Sequence, residues 1–293
     1  MIGLFDSGYG GLTVLAALHA RLPYQRFIYL GDNAHAPYGS KPAAEIQALT
    51  QAGVERLFAL GAKLAIVACN TATAAALRPL QQAWLPSHHP ERRILGVIAP
   101  MVEEIARSPW HAKAGRYEAE RPVETVGIFA TPATVTSRFY PDEIALRAPN
   151  THVVQESCPA LAGLIEAGAG DDAIRPVVAR HVAALMAALG GRAPEKAVLG
   201  CTHFPLIEHL FRAELPPETE LLSQPARVAA ALVAYLFRHP EMKDFAREPT
   251  EPACLTTGDP ARVTVLASRF YGRHLRFEGV GPPESTEGAL LDA

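Results

Sequence analysis

The sequence predicts an α/β fold: two similar domains with mainly parallel sheets flanked by helices, pseudo-two-fold related, with an active site in the interdomain cleft. Three observations carry that expectation. Short aliphatic runs alternate with longer stretches of helical period, as in a parallel sheet covered by helices. The pattern is used twice, since Gly3-Leu4-Phe5-Asp6-Ser7 is similar to Gly127-Ile128-Phe129-Ala130-Thr131, and a Thr-Val pair follows each. Finally, Cys69 and Cys201 close matching aliphatic runs, where ligands collect in parallel α/β folds.

In order along the chain, residues 3–6 form the first strand, and Asp6-Ser7-Gly8-Tyr9-Gly10-Gly11 opens a helix. The glycines permit close backbone approach, and the hydroxyl and N–H groups suit a carboxylate; an ordinary helix cap accounts for the motif equally well. It lacks the G-x-G-x-x-G order and a Lys-Ser/Thr ending, which disfavours nucleotide phosphate. Residues 27–30 form a strand, and Asp32-Asn33-Ala34-His35-Ala36-Pro37-Tyr38-Gly39 is a turn whose free N–H groups suit an anion, or a plain hairpin. Asp32 and His35 lack a third metal ligand nearby. Ile46, Leu49, Leu57 and Leu60 share a helical face that stops at Gly61, before a strand over residues 64–68. The second copy has a helix from about Ala173, with Val177, Val178, His181, Leu185 and Leu189 on one side, ending at Gly190-Gly191 before a strand over residues 196–199. Residues 107–122 are polar and aperiodic and read as an exposed insertion; the tail from about Ser285 has little to bury. The expected division is residues 1–98 with 208–293 as the first, discontinuous domain, and 99–207 as the second.

Composition narrows the function. Of 293 residues, 49% are hydrophobic, which excludes disorder, and a net charge of −3 gives no field that favours nucleic acid or anionic lipid. The expected partner is a small molecule, with neither nucleic acid nor membrane. The first residues show no basic, then apolar, then cleavable pattern of a secretory signal, and the apolar run over 228–237 is about half of what a membrane span needs. Cys69, Cys158, Cys201 and Cys254 are widely spaced, as expected for reduced thiols in the cytoplasm.

Cys69 and Cys201 carry the chemistry. Each is expected at a strand end with a helix starting just after it, where the helix N-terminus would lower the thiol pKa below about 8.5; the alternative is a small buried hydrophobe. Two matched thiols facing each other across a cleft reach opposite sides of one bound molecule. That geometry suits removing a proton from one face of a carbon and returning one to the other, with Asp6 and His203 as neighbours that set protonation.

The motifs Asp6-Ser7-Gly8, Pro37-Tyr38-Gly39, Ala68-Cys69-Asn70-Thr71-Ala72 and Gly200-Cys201-Thr202-His203-Phe204-Pro205 resemble those of the glutamate racemase family, within the aspartate/glutamate racemases. The resemblance continues through Cys158-Pro159, Leu164-Ile165-Glu166-Ala167-Gly168 and Thr256-Thr257-Gly258-Asp259-Pro260. It implies a cofactor-independent isomerase that supplies D-glutamate for bacterial peptidoglycan, and so for cell-wall biogenesis and cell shape. By resemblance, Cys69 takes the α-proton from D-glutamate and Cys201 from L-glutamate; Asp6 assists Cys69, and His203 backed by Glu166 assists Cys201. The implied substrate contacts are Asp6, Ser7, Pro37, Tyr38, Gly39, Asn70, Thr71, Thr131, Thr134, Thr202 and His203. No cofactor or metal is implied, and family members are often homodimers. Two features depart from the pattern: Leu221-Leu222-Ser223-Gln224 stands where many relatives have an Ile-Asp-Ser type sequence, and the 107–122 segment is long. An aspartate racemase, a decarboxylating lyase needing one cysteine, and a non-catalytic amino-acid-binding protein are the rival readings.

Overall fold

A computed structural model describes residues 1–108 and 123–281. The chain builds two parallel sheets. The strands are β1 (Ile2–Asp6), β2 (Phe27–Gly31), β3 (Leu64–Val67), β4 (Arg93–Gly96), β5 (Glu124–Ala130), β6 (Thr151–Ser157), β7 (Lys196–Gly200), β8 (Glu220–Leu222), β9 (Ala253–Thr256) and β10 (Phe277–Gly279). One sheet has the order β10-β9-β2-β1-β3-β4 and the other β6-β5-β7-β8. Since β2-β1-β3-β4 and β6-β5-β7-β8 have the same order, the repeat read in the sequence is a repeat of topology. Every residue of β1 and β7 is buried, as continuous apolar strands covered on both faces require.

Register brings the chemistry to one edge of each sheet. Phe5 pairs with Val67, and Ala130 with Gly200. The residues just beyond β1 and β3, including Ser7 and Cys69, therefore leave neighbouring strands together, as do Thr131 and Cys201 beyond β5 and β7.

The helices follow the predicted periods with one exception. Helix Ala43–Ala59 buries Ile46, Val54, Leu57 and Phe58, and Gly61 takes the left-handed conformation (φ +93°) that ends it. Leu60, expected on the same face, is 42% exposed because the helix has already ended. Helix Asp171–Ala188 buries Ile174, Val178, His181, Val182 and Leu185 before Gly190 and Gly191, both at positive φ. The apolar run over 228–237 belongs to helix Gln224–Arg238, with Val228, Ala229, Leu232 and Leu236 inward and Phe237 exposed. No helix among the described residues is long and apolar enough to cross a membrane.

The expected division at 207/208 needs correction. Leu221 and Leu222 pair with Ala197 and Val198, so β8 extends the second sheet, and helix Glu208–Glu214 packs on helix Asp171–Ala188. The return to the first sheet falls after Leu222, through helix Gln224–Arg238, which packs on helix Gly11–Arg21. A three-residue strand carries too little period to be seen in sequence. Most of the 107–122 segment, from 109, and the tail from 285 lie outside the described residues. One apolar cluster runs from Leu12 and Leu15 to Phe129, Phe204 and Leu210, so the two sheets share a core.

Helix Ala43–Ala59 reaches β1 through Gly53, where an added Cβ would lie 2.1 Å from the Phe5 ring. Alanine gains about 1 kcal/mol of helix propensity over glycine, but overpacking costs about 1–3 kcal/mol. Gly53→Ala should lower the thermal midpoint followed by circular dichroism, and Phe5→Leu in the same chain should recover part of the loss.

Candidate active site

A cavity of about 730 Å³ lies between the two sheets. The first contributes Ser7, Pro37, Tyr38, Gly39, Cys69, Asn70 and Thr71 to its wall, and the second Thr131, Glu166, Cys201, Thr202 and His203. Asp6 and Thr134, expected among the contacts, are buried behind the wall, because Asp6 ends β1 and Thr134 lies inside helix Pro132–Thr136.

Cys69 is the N-cap of helix Asn70–Pro79. Its sulfur accepts from the Ala72 N–H at 3.5 Å and from the Ser7 hydroxyl at 3.4 Å. The expectation that the helix N-terminus would depress its pKa is not met. Burial pushes the thiol up to about 12, with help from the Asp6 charge, and outweighs the Ser7 and Ala72 hydrogen bonds. The rise makes ionisation harder by on the order of 4 kcal/mol, against about 0.3–1 kcal/mol from a helix terminus. Asp6 acts on Cys69 through charge rather than contact: its Oδ1 accepts from the Gly8 N–H at 2.9 Å, and its buried Oδ2 has no partner among the described residues. Burial raises the Asp6 carboxyl above its usual range, although His203 pulls it down.

Cys201 stands beside a different partner. The residues after it form a 3₁₀ turn, Phe204–Ile207, rather than the expected α-helix start, and the His203 Nδ1 lies 3.7 Å from the Cys201 sulfur. The His203 Nε2 is 2.7 Å from Glu166 Oε1. Burial disfavours the charged ring, but hydrogen bonds to Cys201 and Glu166 overcome it and raise the His203 pKa to about 10. Phe270 of helix Pro260–Tyr271 meets the imidazole edge to face at 5.3 Å, so the C-terminal part of the first half holds a residue of the second.

Small groups let the halves meet. A Cβ on Gly10 would lie 2.4 Å from Thr202 Oγ1 and 2.5 Å from His203 Nδ1. The Thr13 hydroxyl donates to the Thr202 carbonyl at 3.0 Å. Thr71 Oγ1 lies 2.9 Å from Thr131 Oγ1 and 3.3 Å from Thr134 Oγ1, and the last two are 3.0 Å apart. Asn70 borders the cavity, but its amide is engaged by Gln224 and Tyr140.

Asp32 and His35 lie between β2 and helix Ala43–Ala59 rather than in a hairpin. The Asp32 carboxylate accepts from the Tyr38 hydroxyl at 2.6 Å and the Thr257 hydroxyl at 2.7 Å, with His35 Nδ1 at 2.8 Å. These contacts hold the 3₁₀ turn Tyr38–Ser40 against the C-terminal Thr256-Thr257 motif. Asn33, Asp259 and Arg262 also line the cavity, and no role was assigned to them from sequence. The motifs around Asn33 and Asp259 gave a signal; Arg262, the single Lys or Arg on that wall among the described residues, gave none.

Paired cysteines on equivalent strands invite comparison with known proteins. No family model matches the chain. Over 288 residues it is 48% identical to the glutamate racemase of Caulobacter sp. (strain K31), covering 94% of this chain and 99% of that one. The chain belongs to the glutamate racemase family. Its fold superposes on the glutamate racemase isoform RacE1 of Bacillus anthracis with a TM-score of 0.81 at 29% identity, covering 97% of this chain and 98% of that one. The glutamate racemase of Francisella tularensis in complex with D-glutamate gives 0.80 at 26% identity, with 96% and 97% covered.

Within the family site, the raised pKa of His203 has a sign that can be checked. A folded value near 10 against an ordinary 6.5 makes stability from the charged ring complete below about pH 6.5 and lost as pH rises through about 10. ¹⁵N NMR should show the His203 ring doubly protonated at pH 8. In Glu166→Gln its titration should move down towards the ordinary value, and the loss of thermal stability between pH 6.5 and 10 should shrink.

Proposed function

We propose that the protein interconverts L- and D-glutamate by a cofactor-independent two-base mechanism. The observation that carries this reading is the placement of two thiols in one cavity, on walls that belong to different sheets, each beyond the equivalent strand of a repeated strand order. From L-glutamate, the Cys201 thiolate takes the α-proton and becomes a thiol, while the Cys69 thiol gives its proton to the opposite face and becomes a thiolate. The reverse direction exchanges the roles. A buried, neutral Cys69 is suited to the acid role from the outset, and the His203 imidazolium, backed by Glu166, stabilises a thiolate at Cys201.

Donors fixed by the fold do the rest. The first N–H groups of helix Asn70–Pro79, the hydroxyls of Ser7, Thr71, Thr131 and Thr202, and the Pro37-Tyr38-Gly39 turn would orient the substrate carboxylates and ammonium. Asp6, with one carboxylate oxygen that has no hydrogen-bond partner among the described residues, sits where its charge tunes Cys69. Preorganised donors and protonation concerted with deprotonation keep a free carbanion from building up. The four buried, unpaired cysteines fit a reducing cytoplasm, where D-glutamate would serve peptidoglycan synthesis.

Purified protein with either enantiomer alone should bring optical rotation to zero. Cys69→Ala and Cys201→Ala should each reduce this by more than about 10³-fold with the circular dichroism spectrum intact, since the remaining thiol serves one face only. Cys→Ser variants should leave a trace. Normal turnover in either alanine variant would remove the two-base assignment.

A further inference from the structure

Several buried polar groups that this chemistry does not use converge where the chain passes between the halves. Gln224 opens helix Gln224–Arg238, immediately after β8 and Ser223, and is fully buried. Its Oε1 accepts from Asn70 Nδ2 at 2.6 Å, and its Nε2 donates to Asn70 Oδ1 at 2.9 Å, a reciprocal amide pair. The same Nε2 donates to the Val97 carbonyl at 3.2 Å and meets the Tyr140 hydroxyl at 3.4 Å. Tyr140 in turn donates to Asn70 Oδ1 at 3.0 Å.

The partners' places in the chain give this cluster its meaning. Val97 lies on the forward crossing from β4 to the second half, and Gln224 begins the return. Tyr140 is on the second half's helix Phe139–Arg147, and Asn70 directly follows Cys69. We infer that Gln224 is a positioning residue for the proton transfer: its amide pins both crossings to the peptide carrying Cys69 and fixes how that thiol faces Cys201. The inference rests on the two-base reading.

A buried network with its partners in place is rigid, whereas removing one member leaves the others unsatisfied in a low-dielectric interior. Misplacement of a reacting group by about 1 Å costs on the order of 10²-fold in rate. Loosening this pin should leave each thiol able to reach its own face while spoiling their joint alignment. Inversion needs both thiols in line; exchange with retention needs one.

The test follows both outcomes in D₂O, from each enantiomer, by polarimetry and by NMR of the α-position in recovered substrate and in product. The variants are Gln224→Ala and Tyr140→Phe, each checked by circular dichroism and thermal melting. Wild type should place deuterium in the product and little in recovered substrate. Gln224→Ala should lower kcat about 10- to 100-fold in both directions, leave KM within about 3-fold, and raise the ratio of exchange with retention to inversion at least about 5-fold. Tyr140→Phe should move the same ratio by a smaller amount and carries the test if Gln224→Ala does not fold. A folded variant with wild-type kcat and ratio, or with lowered kcat at an unchanged ratio, overturns the inference alone. Wild-type protein that leaves the rotation of both enantiomers unchanged overturns the functional reading and this inference together.

Discussion

Two thiols from different sheets line one cavity, so its shape depends on how tightly the halves are held. Apolar packing supplies most of the adhesion through the shared cluster from Leu12 to Phe204, but it is non-directional and sets no angle. Direction comes from short polar contacts around the cavity: the Thr71, Thr131 and Thr134 hydroxyls, the Thr13 bond to the Thr202 carbonyl, and the Asn70–Gln224 amide pair. Gly10 makes this possible from the other side, since no side chain there leaves room for His203 and Thr202.

The two thiols have unlike surroundings despite equivalent places in the repeat. Cys69 caps a helix, meets a neutral hydroxyl and feels the charge of Asp6; Cys201 lies between β7 and a 3₁₀ turn, beside a histidine whose pKa is raised by its hydrogen bonds to Cys201 and Glu166. Burial dominates at Cys69 because desolvating a thiolate costs several times what a helix terminus returns. Repeated topology thus delivers two sulfurs to one cavity, and the local partners give each a different electrostatic setting.

Much of this was legible in the sequence where the signal was local. Strand ends at Cys69 and Cys201, the helix stops at Gly61 and at Gly190-Gly191, and the repeat of 3–7 in 127–131 are all carried by neighbouring residues. What stayed hidden depends on partners far along the chain or on burial. Gln224 meets Asn70 across more than half of the sequence, and Asp32 finds Thr257 across still more. The expected helix-lowered pKa of Cys69 erred because periodicity shows a cap but not how completely it is desolvated. β8 escaped because three residues carry almost no period, and its loss moved the expected boundary back to 207.

The C-terminal segment illustrates how a sheet can complete a site it does not face. β9 adds to the edge of the first sheet beside β2, which brings Thr256 and Thr257 against Asn33 and Asp32 and so fixes the Tyr38 turn on one wall. The helix that follows places Phe270 on the ring of His203, on the opposite wall, and Tyr9 stacks on the same phenylalanine at 5.6 Å. A strand and helix near the end of the chain therefore brace both thiols' surroundings at once. Among the described residues, the second sheet has no counterpart to β9 beside β6. That asymmetry adds to the difference in local partners, so a repeat of strand order produces one cavity with two chemically different sides rather than a symmetric pair of half-sites.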